Sequence, residues 1–263
     1  MSTVFCTHCS DDWFYNGGCN KLLATAKYYN KDVPFFVFTS LELNKLNEKY
    51  NGQLNWDILN PIISMELKSQ FDKVIHIDAD SLILGPLEEI FESTADILTV
   101  RNNNDYNTAS KFTDLPVTIN GCIPENYMNA GLVGTSNVGF LSHWIYRNFN
   151  EAQNYPYREQ DILNLILQEG KFTSQCLDPK DKDVHYGISC HYGKDTYWDS
   201  SKDIVFSSGE FLLGKKKIKV YHQAGGHHHF PKLNLEVLFN SDTKKEIERI
   251  INSQKVKYEK III

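Results

Sequence analysis

The sequence predicts an α/β fold: a doubly wound, mainly parallel sheet with a Rossmann-like nucleotide-binding half. Two observations predict it. Short apolar runs suited to buried strands alternate with longer segments of helical periodicity, which is typical of parallel sheets covered by helices. One of these runs, 74–77, is followed directly by Asp78 and Asp80, and ligands of open α/β sheets bind at the carboxyl ends of strands.

The predicted elements follow one another in the order that such a sheet requires. Strands are predicted over residues 3–8, 34–39, 74–77, 96–100 and 218–222, with a further apolar strand after Gly131. Helices are predicted over residues 20–29, 41–50, 58–70, 138–150 and 242–260, with another helix from Arg158 and a short helical turn over 86–91. Residues 16–18 are interpreted as a turn, and residues 102–105 and 111–126 as irregular. We expect one domain, residues 1–263, with a C-terminal helical tail over about 240–263.

The composition argues against several classes of function. The 263 residues carry a formal net charge of −6 without a long basic run, which disfavours binding to nucleic acid. No apolar stretch approaches the length of a membrane span and the N-terminus lacks a signal-peptide pattern, so a cytoplasmic location is expected and membrane association is not indicated. The six cysteines, among them Cys6 and Cys9 in a CxxC, are expected to be free thiols. The oligomeric state stays open, with a homodimer as one option.

Asp78, Ala79 and Asp80 form the most informative motif. Two carboxylates that flank one small residue can converge on a hard cation such as Mg²⁺ or Mn²⁺ and leave water sites for phosphate oxygens. Most Asp-x-Asp triplets are solvated turns. Here an apolar strand precedes the triplet and an apolar segment, 82–84, follows it, which favours a metal-bound diphosphate as the ligand.

Three further polar groups stand at the starts or ends of predicted elements. Asn129, Ala130 and Gly131 precede an apolar strand; Glu159, Gln160 and Asp161 lie in a first helical turn; and His222 ends a strand. Acidic residues in a first turn are often only helix caps, and a lone histidine is often structural. The glycines after His222, Gly225 and Gly226, would let the backbone approach a phosphate closely.

Taken in order, these four motifs resemble those of the GT-A fold glycosyltransferases, specifically the retaining family 8 type that includes glycogenin, galactinol synthases and lipooligosaccharide galactosyltransferases. The resemblance covers about residues 3–232. It implies that Asp78, Asp80 and His222 ligate Mn²⁺ or Mg²⁺, which bridges the diphosphate of a nucleotide sugar, usually a UDP-sugar. It also implies a glycan, lipid or protein acceptor, which the sequence does not identify.

The resemblance implies a role for each remaining motif residue. Thr7 would lie with Asp78 near the nucleoside, and Gly225 would approach the phosphates. Lys68 is a candidate for the basic residue that reaches the donor. Asn129, Glu159 and Gln160 would line the donor-sugar pocket, with Gln160 close to the anomeric carbon on the face opposite the leaving group. Ala130 and Gly131 are implied to bind the donor together with Asn129. The implied catalytic residues are Glu159, Gln160 and Asp161.

The chain departs from the family pattern at two positions. Glu159 stands where the family usually has Asp, and His228 stands where it usually has Lys, a role that Lys232 could take. The run of histidines at 227–229 could contact phosphate, form a solvated loop or bind adventitious metal.

The expected function is therefore metal-dependent transfer of a sugar from a nucleotide sugar with retention of anomeric configuration. The alternatives are a non-catalytic nucleotide-sugar-binding relative and a sugar nucleotidyltransferase. The latter would need a basic, glycine-rich loop after the first strand, whereas residues 10–18 contain no Lys or Arg.

Overall fold

The computed structural model describes residues 2–101, 127–155, 157–178, 184–185, 191–192, 197–198, 200–223 and 233–254. The strands are β1 (Thr3–His8), β2 (Phe35–Phe38), β3 (Lys73–Ile77), β4 (Ser81–Ile83), β5 (Ile97–Arg101), β6 (Met128–Thr135), β7 (Ser174–Cys176), β8 (Val184–His185), β9 (His191–Tyr192), β10 (Tyr197–Trp198), β11 (Ile204–Ser207), β12 (Glu210–Leu213), β13 (Lys216–Ile218) and β14 (Val220–His222). The helices are α1 (Cys19–Tyr29), α2 (Ser40–Lys49), α3 (Leu59–Lys68), α4 (Glu88–Glu92), α5 (Val138–Glu151), α6 (Arg158–Glu169), α7 (Leu235–Leu238) and α8 (Ser241–Ser253). A π-helical turn covers Trp13–Gly17 and overlaps the turn predicted over 16–18, and short 3-10 turns cover Trp56–Ile58, Ala152–Asn154 and Ser200–Asp203.

The central sheet has six strands in the order β2-β1-β3-β6-β5-β7. Strand β1 runs parallel to β2 and β3, and β5 runs parallel to β7, whereas β6 runs antiparallel to β3 and β5. The predicted wound, mainly parallel sheet is therefore confirmed. As a result, the carboxyl ends of five strands and the amino end of β6 meet at one edge of the sheet.

Side chains alternate between the two faces of this sheet, as strand geometry requires. Val4, Cys6 and Val74 pack on one face in a cluster with residues of α2 and α3. Phe5 and Ile75 pack on the other face with residues of α1 and β4. A third cluster joins β5 and β6 to α5 and α6. Burial of apolar side chains on both faces fixes the register of β1 and β3, because a slip by one residue would exchange the faces.

Beside the central sheet, the described strands form three smaller sheets, and two of them share the segment 216–222. Strands β11, β12, β13 and β8 form one sheet, and β14 pairs antiparallel with β4 in the other. The single strand predicted over 218–222 is therefore wrong: it is interrupted at Lys219, whose side chain turns to Glu88 and Glu89. The interruption lets β13 and β14 join different sheets.

Helix α8 belongs to the packed fold. The side chain of Asn240 accepts a hydrogen bond from the backbone N–H of Thr243, so the helix begins with an N-cap. Ile247 and Ile250 are buried in an apolar cluster with residues of β4, β11, β12, β13 and β14. The helix ends at Ser253, and residues 255–263 of the predicted tail lie outside the described residues. None of the described helices is long and apolar enough to cross a membrane.

A buried lysine at the start of β3 provides a test of the core. The ammonium of Lys73, a residue only 1% exposed, donates to the carbonyl oxygens of Ile90 at 2.8 Å and Ser93 at 2.6 Å. Replacing Lys73 by Met keeps the volume but leaves those carbonyls without their donor. We expect a loss of about 1–3 kcal/mol in the free energy of unfolding, measured with urea. The matched change at exposed Lys45 should cost less than about 0.5 kcal/mol, and equal midpoints for the two variants would contradict the assignment.

Candidate active site

Two ladders of backbone hydrogen bonds meet at the segment between β3 and β4. The N–H of Asp78 donates to the carbonyl of Gly131 at 2.8 Å, which continues the β3–β6 ladder. The N–H of Gln223 donates to the carbonyl of Asp80 at 3.0 Å, next to the pairing of His222 with Ser81. The segment therefore joins the central sheet to the second half of the chain at the carboxyl edge of the sheet.

This junction brings three predicted metal ligands together. Nε2 of His222 lies 3.4 Å from Oδ2 of Asp78 and 3.1 Å from Oδ1 of Asp80. One ligand atom from each residue falls within 4.8 Å of the others, so the three can bind a single cation. Burial lowers the pKa of His222, but the two carboxylates outweigh burial and raise it to about 10. Two oxygens and one imidazole nitrogen suit Mn²⁺ better than Mg²⁺, which prefers an all-oxygen shell.

Metal binding is expected to depend on pH because His222 carries a proton that competes with the cation. With a pKa raised to about 10, the imidazole is protonated at neutral pH, and a cation can use Nε2 only after that proton leaves. We expect the apparent Mn²⁺ affinity to rise about tenfold per pH unit between about pH 6 and 8, with one proton released per ion. Calorimetry in buffers of different ionisation enthalpy measures both quantities. Binding without proton release would contradict the assignment of His222 as a ligand.

Gly131 makes room for the His222 ring. A Cβ placed on Gly131 would lie 2.2 Å from Cε1 of His222 and 2.7 Å from Oδ1 of Asn129. Only a glycine therefore allows the ring to lie against β6. The N–H of Gly131 also donates to Oδ1 of Asn129 at 2.8 Å, which fixes that amide.

The amide of Gln160 is held by β6. Its Oε1 accepts hydrogen bonds from Nδ2 of Asn129 and from the N–H of Ala130, both at 3.1 Å. The side chain of Asn164 bonds both backbone groups of Met128 and the carbonyl of Gln160, which fixes the first turns of α6 against β6. Among the described residues, Nε2 of Gln160 has no acceptor, so its N–H groups remain available to a ligand.

Asp161 has a different role from its two neighbours. It is buried, accepts a hydrogen bond from the hydroxyl of Tyr127 at 2.5 Å and another from the N–H of Tyr157 at 2.8 Å. Burial raises its pKa. The carboxylate therefore caps the start of α6 and does not face the metal ligands, in line with the helix-cap alternative.

A cavity of about 490 Å³ opens beside the three metal ligands. The residues that line it are His8, Cys9, Ser10, Trp13, Trp56, Asn60, Asp78, Ala79, Asp80 and Glu159. Its wall combines aromatic rings with carboxylates, which suits a ligand that has a flat ring at one end and a metal-bound anion at the other.

Comparison with solved structures identifies the architecture. The apo structure of WbbM, a bifunctional glycosyltransferase, superposes with a TM-score of 0.57 at 14% identity over 95% of this chain. The chain spans about half of that protein, 51% of its length. An active-site mutant of LgtC superposes with a TM-score of 0.51 at 13% identity over 97% of both chains. The chain has the GT-A glycosyltransferase fold. Neither a protein-family model nor a curated protein sequence matches it.

Two predicted residues are not brought to the GT-A site. Thr7 is buried on the face of β1 that it shares with Phe5, away from the cavity, and its neighbour His8 lines the cavity instead. The ammonium of Lys68 donates to the carbonyls of Phe71 and Asp72, before the start of β3, whereas the metal ligands follow its end. Lys68 is therefore at the wrong edge of the GT-A sheet to reach a donor.

Some predicted residues cannot be placed. Gly225, Gly226, the histidines at 227–229 and Lys232 lie outside the described residues. Sequence reasoning missed His8, Trp13, Trp56 and Asn60, which line the GT-A cavity. The signal that could have found the first of these was strand alternation, because His8 shares a face of the β1–β3 ladder with His76 and Asp78.

Proposed function

We propose that the chain is a metal-dependent glycosyltransferase that transfers a sugar from a UDP-linked donor with retention of anomeric configuration. The observation that carries the proposal is the convergence of Asp78, Asp80 and His222 at the carboxyl edge of a GT-A sheet, beside a cavity that Glu159 also lines. Gln160, the next residue along α6, is fixed with its N–H groups available.

The three ligands would hold a divalent cation, Mn²⁺ in preference to Mg²⁺. When bound, the cation stabilises the negative charge of the departing diphosphate as the bond to the sugar breaks. The side chains of Asp80 and His222 are 12% and 8% exposed, whereas that of Asp78 is 35% exposed. Asp78 is therefore the most accessible of the three ligands, and a diphosphate can reach the site from the cavity on its side.

Glu159 and Gln160 would orient the sugar. Gln160 is a neutral amide, and an amide is a poor covalent nucleophile. Its oxygen is already occupied by Asn129 and Ala130, so only its N–H groups can meet a ligand, and these donate to sugar oxygens. Two carboxylates adjoin Gln160 on α6: Asp161 is buried and bonded to Tyr127, and Glu159, which lines the cavity, is assigned to orienting the sugar. We therefore propose front-face substitution, in which the leaving diphosphate accepts the proton of the incoming hydroxyl.

The role of Gln160 leads to a prediction about rate and stereochemistry. Gln160→Ala should slow transfer about 10–100-fold without eliminating it, because it removes orientation and leaves the metal ligands in place. NMR of the early product from an α-linked UDP-sugar should show an α-linked product for both proteins. A β-linked product would mean inversion and would overturn the retaining mechanism.

The proposed function is tested by a donor screen. Purified protein is incubated with Mn²⁺ and single nucleotide sugars, and release of the nucleoside diphosphate is scored with and without sugar acceptors. We expect turnover with a UDP-sugar, slow hydrolysis without acceptor, and a rise in melting temperature with UDP and Mn²⁺. Binding of UDP without any turnover would support a non-catalytic binding protein. Stabilisation by adenine nucleotides alone would contradict the proposal.

A further inference from the structure

Two buried histidines connect the cavity to Asp78. Nδ1 of His8 lies 3.2 Å from Nε2 of His76, and Nδ1 of His76 lies 3.9 Å from Oδ1 of Asp78. The other carboxylate oxygen of Asp78, Oδ2, faces His222. The two histidines therefore form a chain of polar atoms that runs from a metal ligand to the wall of the cavity, and the proposed mechanism does not use them.

The direction of this chain fixes the tautomer of each ring. A hydrogen bond between two imidazole nitrogens needs one N–H and one bare nitrogen. Oδ1 of Asp78 is too far from Nδ1 of His76 for a hydrogen bond, but its negative charge at 3.9 Å favours a proton over a lone pair on that nitrogen. Nε2 of His76 is then bare and accepts from Nδ1–H of His8.

The opposite arrangement is disfavoured for two reasons. A bare Nδ1 on His76 would turn its lone pair toward the negative carboxylate of Asp78, and this buried nitrogen has no hydrogen-bond donor among the described residues. Both rings are buried, and burial disfavours the charged form of an imidazole. Nε2 of His8 is consequently a bare acceptor.

The surroundings of His8 indicate what this acceptor meets. His8 lines the cavity, and Nε2 has no hydrogen-bond partner within the part of the chain that the structure describes. The exposed ring of Trp56 meets the His8 ring edge-on at 4.9 Å, and Trp13 lines the same cavity. Flat aromatic surfaces of this kind stack nucleobases, whereas the diphosphate belongs at the carboxylates.

We propose that Nε2 of His8 accepts a hydrogen bond from the nucleobase of the donor. His76 is the positioning residue: it lies between His8 and Asp78 and thereby sets the tautomer of the His8 ring. The ligand is then a base with a ring N–H at its pairing edge, which uracil and guanine have and cytosine and adenine lack. This inference rests on the proposed function and adds to it a reason for the choice of base.

Binding of matched nucleotides tests the role of His8. UDP, N3-methyl-UDP, CDP and GDP are titrated into the full chain by calorimetry in the presence of Mn²⁺. We expect UDP to bind about tenfold or more tightly than N3-methyl-UDP and CDP, because at N3 the first of these presents a methyl group and the second a lone pair to the acceptor of His8. In His8→Phe, which keeps a ring but has no acceptor, UDP and N3-methyl-UDP should bind within about twofold of each other.

A second variant separates positioning from packing. His76→Phe removes the imidazole that lies between His8 and Asp78. The proton of the His8 ring can then move from Nδ1 to Nε2, where it can be donated to the bare N3 of cytosine. We expect the preference for UDP over CDP to fall about tenfold, although a purely structural loss would weaken both nucleotides equally. His143→Phe is the control, because that histidine pairs with Glu169 outside the cavity and should leave the ratio unchanged.

Nitrogen NMR tests the tautomers without any ligand. Long-range ¹⁵N–¹H spectra should show Nδ1–H and a bare Nε2 for both His8 and His76. Nε2–H on His8 would overturn the inference. So would equal affinity for UDP and N3-methyl-UDP in the wild type, an outcome that leaves the proposed function standing. Binding of GDP but not UDP would support the role of His8 and contradict the uridine donor, and no nucleotide binding at all would contradict both proposals.

Discussion

Asp80→Asn is expected to abolish sugar transfer, with a loss of at least about 1,000-fold in turnover, while the protein stays folded. The change removes one of two negative charges from the proposed metal site. The backbone carbonyl of Asp80, which accepts from the N–H of Gln223, is unaffected, so the β4–β14 pairing should persist. Mn²⁺ affinity should fall together with activity, which calorimetry and an assay of diphosphate release measure in parallel.

The control for this variant is Asp72→Asn, an exposed carboxylate that bonds Ser2 and lies before β3. It should leave both metal affinity and turnover unchanged. EDTA should reproduce the effect of Asp80→Asn in the wild-type protein, and added Mn²⁺ should reverse it. Full activity of the wild type in EDTA would rule out a metal-dependent reaction.

Gly131→Ala is the second variant with a large expected effect, although it replaces none of the three proposed ligands. The new methyl group would meet the His222 ring at 2.2 Å, so the ring must leave its place beside Asp78 and Asp80. We expect Mn²⁺ affinity to fall about 10–100-fold and stability to fall by about 1–3 kcal/mol. Metal titration and urea unfolding of the same preparation measure the two effects.

Gly134→Ala provides the matched control on the same strand. A Cβ there would lie 2.7 Å from Cδ1 of Ile75, the end of an apolar side chain, and it would face no metal ligand. This variant should lose stability but keep its Mn²⁺ affinity. If the two glycine variants lose metal affinity equally, the effect of Gly131→Ala is general unfolding rather than displacement of His222.

Local patterns in the sequence predict, for a physical reason, that the two aspartates lie at the carboxyl edge of the sheet. Asp78 and Asp80 follow an apolar strand, and the rule that ligands bind at the carboxyl ends of strands needs no knowledge of distant contacts. The pairing of Gln160 with Asn129 is different. Each motif is visible in the sequence, but their contact depends on β6 entering the sheet antiparallel, which alternation of helices and strands does not specify.

The differences between the predicted and the observed positions have equally definite causes. Thr7 was one residue from the position that lines the cavity, and in a strand one residue is the difference between opposite faces. The family resemblance makes Lys68 the candidate because it lies on the helix before the strand of the Asp-x-Asp motif, yet it precedes β3 while the proposed ligands follow β3. The strand predicted over 218–222 is interrupted at Lys219 because β13 pairs with β12 in one sheet and β14 pairs with β4 in another. The second of these partners lies far away in the sequence.

The pairing of β4 with β14 has a consequence for the order of folding. Ser81 and His222 are neighbours across this ladder but distant in sequence, so the ladder closes a long loop and such contacts form slowly. The first half of the chain can assemble β1, β2 and β3 from more local contacts. At that stage Asp78 and Asp80 would be in place, but His222 would not yet lie beside them. Metal affinity should therefore appear only in the last phase of refolding, after most helical signal has returned, and a nascent chain that ends before β14 would have no complete site to sequester manganese.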